Sequence, residues 1–398
     1  MKQGNVKSLP KGWETKKLVD VCIVERGSSP RPIEKYQTDS SEGVNWIKIG
    51  DTKNVDKYIY TTREKITKEG AQKSRYVKEG DFILSNSMSF GKPFIMKTDG
   101  YIHDGWFALR LHNFIDTEYF YHLLSSPLVN EQFHKLASGS VVKNISGDLV
   151  KKVILPIPPL QEQQRIVAIL DEAFSAIDKA KANTEQNLKN AKELYDSYLG
   201  IIFTTVGKDW KQKTLEDVCT LYQGIAINAK TKHALVEKSE LPLLRIKDLK
   251  NNTEEQYIDP NNYPKNALVN ENEIIYTRTG SLGLVFRGRK GVLHNNSFKV
   301  VPNSEIDNDF LFIWLQNPVF KTKIMSLAMK AAQPDITHAI FKIQEILVPP
   351  IKDQQTIVSK LDALREQTKK LEAVYEQKLQ DLEELKKSIL SKAFSGEL

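Results

Sequence analysis

The sequence predicts an α+β fold, with two tandem α+β domains separated and held by two long antiparallel coiled-coil helices in a pseudo-two-fold arrangement. Three observations carry this expectation. Residues 160–203 show one uninterrupted apolar stripe at helical spacing, the start of that stripe is written again 191 positions later, and the segments between the helices are duplicated too.

A chain of 398 residues, 40% of them hydrophobic, exceeds one ordinary core and suits two domains plus connecting helices. The expected divisions are a domain at 1–155, a helix at 156–207, a second domain at 208–347 and a second helix at 348–398. Near the start of each domain, Trp13, Leu18, Asp20, Val21, Cys22 and Gly27 return as Trp210, Leu215, Asp217, Val218, Cys219 and Gly224, an offset of 197. The offset falls to 192 for Phe82-Ile83-Leu84 against Ile274-Ile275-Tyr276, and to 191 for His103 against His294. A few residues of loop length explain the drift. Short apolar runs between turn residues, as at 81–85 and 284–288, predict strands of a mostly antiparallel or mixed sheet. Asp116 and Asp307 each open a helical stretch, at 116–124 and 307–315, where a carboxylate can accept from the first free backbone N–H groups.

Each domain runs into a helix start of one design. Pro158-Pro159-Leu160-Gln161-Glu162-Gln163-Gln164 is answered by Pro349-Pro350-Ile351-Lys352-Asp353-Gln354-Gln355. Proline just before a helix sacrifices no hydrogen bond, and Glu162 and Asp353 place negative charge at the positive end of the helix dipole. The first stripe runs through Ile166, Leu170, Ala173, Ile177, Ala180, Thr184, Leu188, Ala191, Tyr195, Tyr198 and Ile202. The second runs through Ile357, Leu361, Leu364, Thr368, Leu371, Tyr375, Leu382, Leu385 and Ile389, close to a heptad repeat. A helix of this length reaches roughly 65 Å at about 1.5 Å per residue, more than one domain's core needs. If the second helix ran parallel it would leave both stripes in water, whereas an antiparallel course buries both. The expectation is a spacer between two heads.

The net charge of +7 is unevenly spread. Residues 1–155 hold 24 Lys/Arg against 18 Asp/Glu and residues 208–347 hold 19 against 16, while 156–207 hold 5 against 7 and 348–398 hold 9 against 9. The excess lies in the two domains, which points to a polyanion meeting them rather than the helices. Cys22 and Cys219 occupy equivalent places, so they read as two buried thiols and not as a disulfide or metal site. No apolar run approaches the roughly 18 residues of a membrane span, and the first residues lack a signal peptide's apolar core. A cytoplasmic protein without membrane contact is expected.

Leu9-Pro10-Lys11-Gly12-Trp13, the doubled Pro-Pro helix starts ending in Gln-Gln, and Ala393-Phe394-Ser395-Gly396-Glu397-Leu398 together resemble the specificity (S) subunit of type I restriction–modification systems. The resemblance covers essentially the whole chain. It implies two target-recognition domains, each reading one half of an interrupted double-stranded DNA target. It implies paired helices that set the half-site spacing and dock methyltransferase (M) subunits, two of them, with restriction (R) subunits where the complex also cleaves. The chain itself would be non-catalytic and bind no cofactor. S-adenosylmethionine, with ATP and Mg where a restriction subunit is present, would be used by the partners. Residues 331–336 depart from the Gly-containing 138–146 of the first half, so the two halves are expected to read different bases.

Base reading needs polar side chains on loops that enter a groove, and phosphate contacts need Lys, Arg and backbone N–H groups. Three loops per half qualify. The first offers Arg26, Ser28 and Arg31, answered by Gln223, Asn228 and Lys230; the second offers Ser87, Ser89 and Lys92, answered by Arg278, Thr279 and Ser281; the third offers Lys143 and Asn144, answered by Gln333. Ile166, Leu170, Ile177, Leu188, Ile357, Leu361, Leu371 and Leu382 form the coiled-coil and partner-binding set. His103 and His294 read as structural hydrogen-bonding residues, and Trp13 and Trp210 as core anchors.

Enzyme motifs fail. Asp259-Pro260-Asn261-Asn262-Tyr263 lacks the second proline of a DNA methyltransferase loop, and Phe286-Arg287-Gly288-Arg289-Lys290 lacks a second glycine. Pro334-Asp335 has no Glu-x-Lys on a neighbouring strand, since 376–378 and 384–386 fall in the coiled coil. Two other readings stay in view: a coiled-coil scaffold without DNA, and a self-contained DNA-modifying enzyme.

Overall fold

The strand Phe82–Ser85 is buried at every position, so its sheet needs apolar cover on both faces. The structure, a computed structural model, describes residues 9–86, 91–137, 145–205, 207–330 and 333–398. It divides into two units, residues 1–184 with 377–398, and residues 185–376. Each unit takes part of both long helices, Leu160–Thr204 and Ile351–Ser395.

In the first unit a five-stranded sheet runs in the order Cys22–Arg26, Trp106–Leu111, Phe82–Ser85, Pro93–Met96, Tyr58–Ile59, antiparallel except for the last pair. Phe82, Leu84, Phe107 and Leu109 face a core shared with the helix Thr117–Leu124 and with Ile166, Leu170, Phe174, Leu390 and Phe394 of the long helices. One residue out of phase, Ile83, Trp106 and Ala108 face a second core with Ile47, Val77 and Ile102. Those three belong to a mixed four-stranded sheet, Glu64–Ile66, Val44–Ile47, Gly100–Ile102, Arg75–Val77.

The second unit repeats the plan. Cys219–Gln223, Ser297–Pro302, Ile274–Thr277 and Val285–Phe286 pair in the order of their four counterparts. The outer pair Glu14–Lys17 with Ile154–Ile157 returns as Lys211–Thr214 with Glu345–Val348 in the same register. Smaller sheets join Leu243–Leu244, Gly291–Leu293 and Leu268–Val269, and Leu235–Val236 with Tyr257–Ile258. The expected caps are present: Asp116 accepts from Glu118 and Tyr119 N–H at 3.0 Å each, and Asp307 from Asp309 and Phe310 N–H at 2.9 and 3.0 Å. Cys22 and Cys219 are buried, each thiol donating to the carbonyl four residues back, and burial pushes both up to about 12. Trp13 packs half-buried against the first unit's core, and Trp210 is half-buried.

Gly27 and Gly224 mark a close crossing in each half. A Cβ at Gly27 would lie 2.0 Å from the His103 carbonyl oxygen, and one at Gly224 would lie 2.4 Å from those of Leu293 and His294. Only a residue without a side chain fits there.

The doubled helix starts have a physical basis in Gln163 and Gln354, both fully buried. Gln163 Oε1 accepts from the Asp116 N–H at 2.7 Å, while its Nε2 donates to the carbonyls of Phe114 and Pro158 at 3.1 and 2.9 Å. Gln354 repeats all three bonds, accepting from Asp307 N–H at 2.7 Å and donating to Glu305 and Pro349 carbonyls at 3.1 and 2.8 Å. One primary amide thus pins the domain's capped helix to the long helix.

Within each unit the long helices run antiparallel. In the first, Asp178 meets Lys386 at 3.7 Å and Lys181 meets Glu383 at 2.5 Å; in the second, Lys192 meets Glu376 at 3.5 Å and Arg365 covers the Tyr195 ring. Ile166, Leu170, Ile177 and Leu361 are buried, and Leu188, Ile357 and Leu382 half-buried. Leu371 corrects the expected stripe, being 41% exposed, as is Leu385 at 46% and Tyr198 at 36%. A straight helix has 3.6 residues per turn, so a strict seven-residue repeat drifts off the contact line by about 20° per heptad. Glu372 and Lys386, one position on, are half-buried in their place.

Gln163→Ala is expected to lower the first unit's stability by about 3 kcal/mol, because a fully buried amide is removed and three backbone groups around it lose their partner. The first transition in a urea melt reads this loss. Gly27→Ala is expected to cost about 3 kcal/mol or more in the same transition, through overpacking against a carbonyl oxygen.

Candidate nucleic-acid interface

The close crossings set two equivalent loops side by side in each unit, one following the Cys-bearing strand and the other following the repeated histidine. In the first unit Asp104 is the centre. Its carbonyl accepts from Arg26 Nε at 3.4 Å and from the buried Asn86 Nδ2 at 2.7 Å. Its carboxylate accepts from Ser29 Oγ at 2.8 Å and lies 3.2 Å from an Arg31 nitrogen. Burial opposes ionisation of Asp104, but the Ser29 hydroxyl, a backbone N–H, His103 and Arg31 outweigh it and hold the carboxyl below its usual range. A cleft of about 570 Å³ opens beside it, lined by Ser29, Arg31, Gln37, Trp46, Lys48 and His103. The Arg31 side chain is 80% exposed and can turn outward.

The other expected residues of this unit are placed differently. Ser28 Oγ donates to the Lys73 carbonyl at 3.1 Å. Lys92 donates to the Val55 carbonyl at 2.9 Å and stands over the Phe94 ring. Ser87, Ser89, Lys143 and Asn144 lie outside the described residues.

In the second unit Gln223 Nε2 donates to the Asn295 carbonyl at 2.8 Å, the counterpart of the Arg26 bond to Asp104. Arg278 occupies the place of Asn86; its N–H donates to the Asn296 carbonyl at 2.9 Å and its guanidinium grips Asp335 with two nitrogens. Thr279 bridges to Asp335 through the backbone, and Ser281 Oγ accepts from Lys250 Nζ at 2.7 Å. Asn228 Oδ1 accepts from the Lys230 N–H at 2.9 Å, an Asx turn that leaves both side chains exposed, and Gln333 is exposed.

The histidines anchor these loops. The His103 ring nitrogens lie 3.2 Å from the Ile49 N and 2.7 Å from the Gly105 N, and His294 Nδ1 accepts from the Asn296 N–H at 3.3 Å. Burial lowers the pKa of both, keeping them neutral near pH 7. Sequence reasoning missed Asp104, Asn86 and Asp335 as the groups that hold the candidate residues. The repeated histidine was the available signal, since Asp104 and Asn295 directly follow it. Among the described residues no group of three His, Cys, Asp or Glu side chains could hold a metal ion. The loops present hydrogen-bond donors and acceptors at the surface of a fixed frame, a chemistry suited to base edges and phosphates.

Comparison with known proteins agrees with the duplication. The Type I restriction modification DNA specificity domain matches residues 10–190 and again 207–383. The type I restriction enzyme MjaIX specificity subunit of Methanocaldococcus jannaschii is 23% identical, over all of this chain and 96% of its own length. The EcoKI specificity subunit of Escherichia coli K12 is also 23% identical, over 98% and 90%. Among solved structures, a chain from a study of complex assembly and conformational transition in the type I R-M system superposes with a TM-score of 0.77 at 20% identity, covering 98% of this chain and all of its own. The HsdS subunit from Thermoanaerobacter tengcongensis follows at a TM-score of 0.67 and 19% identity, covering 99% of each chain. Both structures share the fold. With the family's domain matched twice in succession over most of this chain, the chain belongs to the type I restriction–modification DNA specificity family.

Proposed function

We propose that this chain is the non-catalytic DNA sequence-specificity subunit of a type I restriction–modification complex, each recognition domain reading one half of a bipartite double-stranded target. One observation carries the reading: a single frame, built twice, presents different side chains at equivalent loop positions. Arg26 corresponds to Gln223 and Lys92 to Leu284, and where the first half buries Asn86 the second holds Arg278 at the surface. Two unlike half-sites require such a pair of readers. The positive excess of residues 1–155 and 208–347 adds a phosphate-binding contribution that weakens with salt.

The long helices, of 45 residues each, set the spacing between half-sites and dock two methyltransferase subunits. Exposed apolar residues support equivalent docking surfaces, because they recur at the duplicated offset: Leu194 with Leu385, and Leu128 with Val319. The methyl donor S-adenosylmethionine, and ATP with Mg²⁺ where restriction subunits join, act in the partners, and the complex works in the cytoplasm. No helix among the described residues is long and apolar enough to cross a membrane. A coiled-coil scaffold leaves the unlike loops of the two heads unexplained.

A map of methylated adenine across the host genome, with the gene intact and deleted, tests the reading. An interrupted motif that loses its mark on deletion is the expected result, and identical maps count against it. Inserting four residues between Ala180 and Leu188, about one helical turn, is expected to change the preferred half-site spacing and leave the half-sites themselves unchanged. An unaltered spacing refutes the ruler role.

A further inference from the structure

Among the described residues, Arg278 is the candidate base reader whose guanidinium is held along one edge by a carboxylate through two nitrogens. Asp335 Oδ1 accepts from Nε at 3.0 Å and Oδ2 accepts from one terminal nitrogen. The backbone locks the pair: the Ile336 N–H donates to the Arg278 carbonyl at 2.9 Å, Thr279 and Asp335 form an antiparallel bridge, and Arg278 and Thr279 N–H groups both donate to the Asn296 carbonyl. The two side chains are 22% and 25% exposed, so the pair sits at the surface without being free in it.

A guanidinium has five N–H groups in a planar fork. Asp335 occupies the edge made by Nε and one terminal nitrogen. The end of the fork, where the two terminal nitrogens each point one hydrogen outward in parallel, is left available. Two parallel donors at that spacing match the O6 and N7 acceptors of guanine in the major groove. The carboxylate also cancels the arginine's charge, which removes its attraction for phosphates at large and leaves directional hydrogen bonding as its contribution. The first unit has a buried asparagine, Asn86, at this position, its amide spent on the Asp104 carbonyl.

We infer that Arg278, aimed by Asp335 as a positioning residue, reads a guanine in the half-site recognised by the second domain. The inference rests on the specificity-subunit reading. Its test uses the full chain assembled with its methyltransferase subunits, on duplexes with the second half-site randomised and the first kept. Wild-type complex is expected to select a guanine at one or more positions of that half-site. Arg278→Ala should cut the preference at one such position about ten- to a hundredfold and leave the others intact. Asp335→Asn, which keeps the shape but frees the fork and adds a positive charge, should relax the same position while tightening binding to random duplex and steepening its salt dependence by about one charge.

A wild-type half-site without guanine on either strand overturns the inference, as does an unchanged motif in both variants. If Arg278→Ala abolishes methylation altogether, Asp335→Asn decides: a degenerate position supports the inference and an intact motif overturns it. Wild-type complex that selects no bipartite sequence at all fails the specificity reading itself, which is a separate result.

Discussion

A buried primary amide holds each half of this protein together. Gln163 and Gln354 have no exposed surface, and each satisfies one N–H and two carbonyls, of which the proline carbonyl is buried. The N–H belongs to the residue that caps the domain's own helix, so the glutamine couples that cap to the first turn of the long helix. The prolines before the helix supply carbonyls but no competing donor, which is why proline and glutamine occur as one motif. Carboxylate, amide and long helix therefore move as one body. Every loop of the domain is displayed relative to a helix whose direction is fixed at its first turn.

Above that anchor, backbone crossings at Gly27 and Gly224 bring the loop after the first sheet strand against the loop after the repeated histidine. The contact between them is made by side chain to backbone carbonyl, Arg26 to Asp104 and Gln223 to Asn295. A backbone carbonyl accepts from either donor, so the loop geometry survives while the outward chemistry changes. Asp104 and the Arg278–Asp335 pair show two solutions on one frame, a carboxylate collecting donors in the first half and an arginine held by a carboxylate in the second.

The sequence already contained the duplication, the two long helices, the capping aspartates and the buried thiols, because each leaves a local or repeated trace. The strand order left none. Val44–Ile47 pairs in parallel with Gly100–Ile102, and Tyr58–Ile59 with Pro93–Met96, contacts across long stretches of chain that no local pattern encodes. Leu371 was misplaced for a different reason: a seven-residue repeat reads as contact at every step, while a straight helix rotates out of it. For the site, the loops could be named from polar residues beside turn residues, yet their partners could not. Asp335 is 57 positions from Arg278, and Asp104 is 78 from Arg26.

The buried charges show how far the frame itself can vary. In the first half Asp81 is nearly fully buried and pairs with Arg110 at 3.0 Å; in the second Glu273 takes its place and pairs with Lys299 at 2.9 Å. The cations come from positions two residues apart on the same face of the equivalent strand, Ala108 standing where Lys299 does. A lone buried charge costs several kcal/mol, so partners must change together. The carboxylates also accept backbone N–H groups three residues back, Lys78 at 3.1 Å and Asn270 at 2.7 Å, so a turn depends on each. Loop residues facing solvent carry no such coupled demand. Exposed positions such as 26, 31 and 333 can then change one at a time, while amides, glycines and buried pairs keep the display geometry constant.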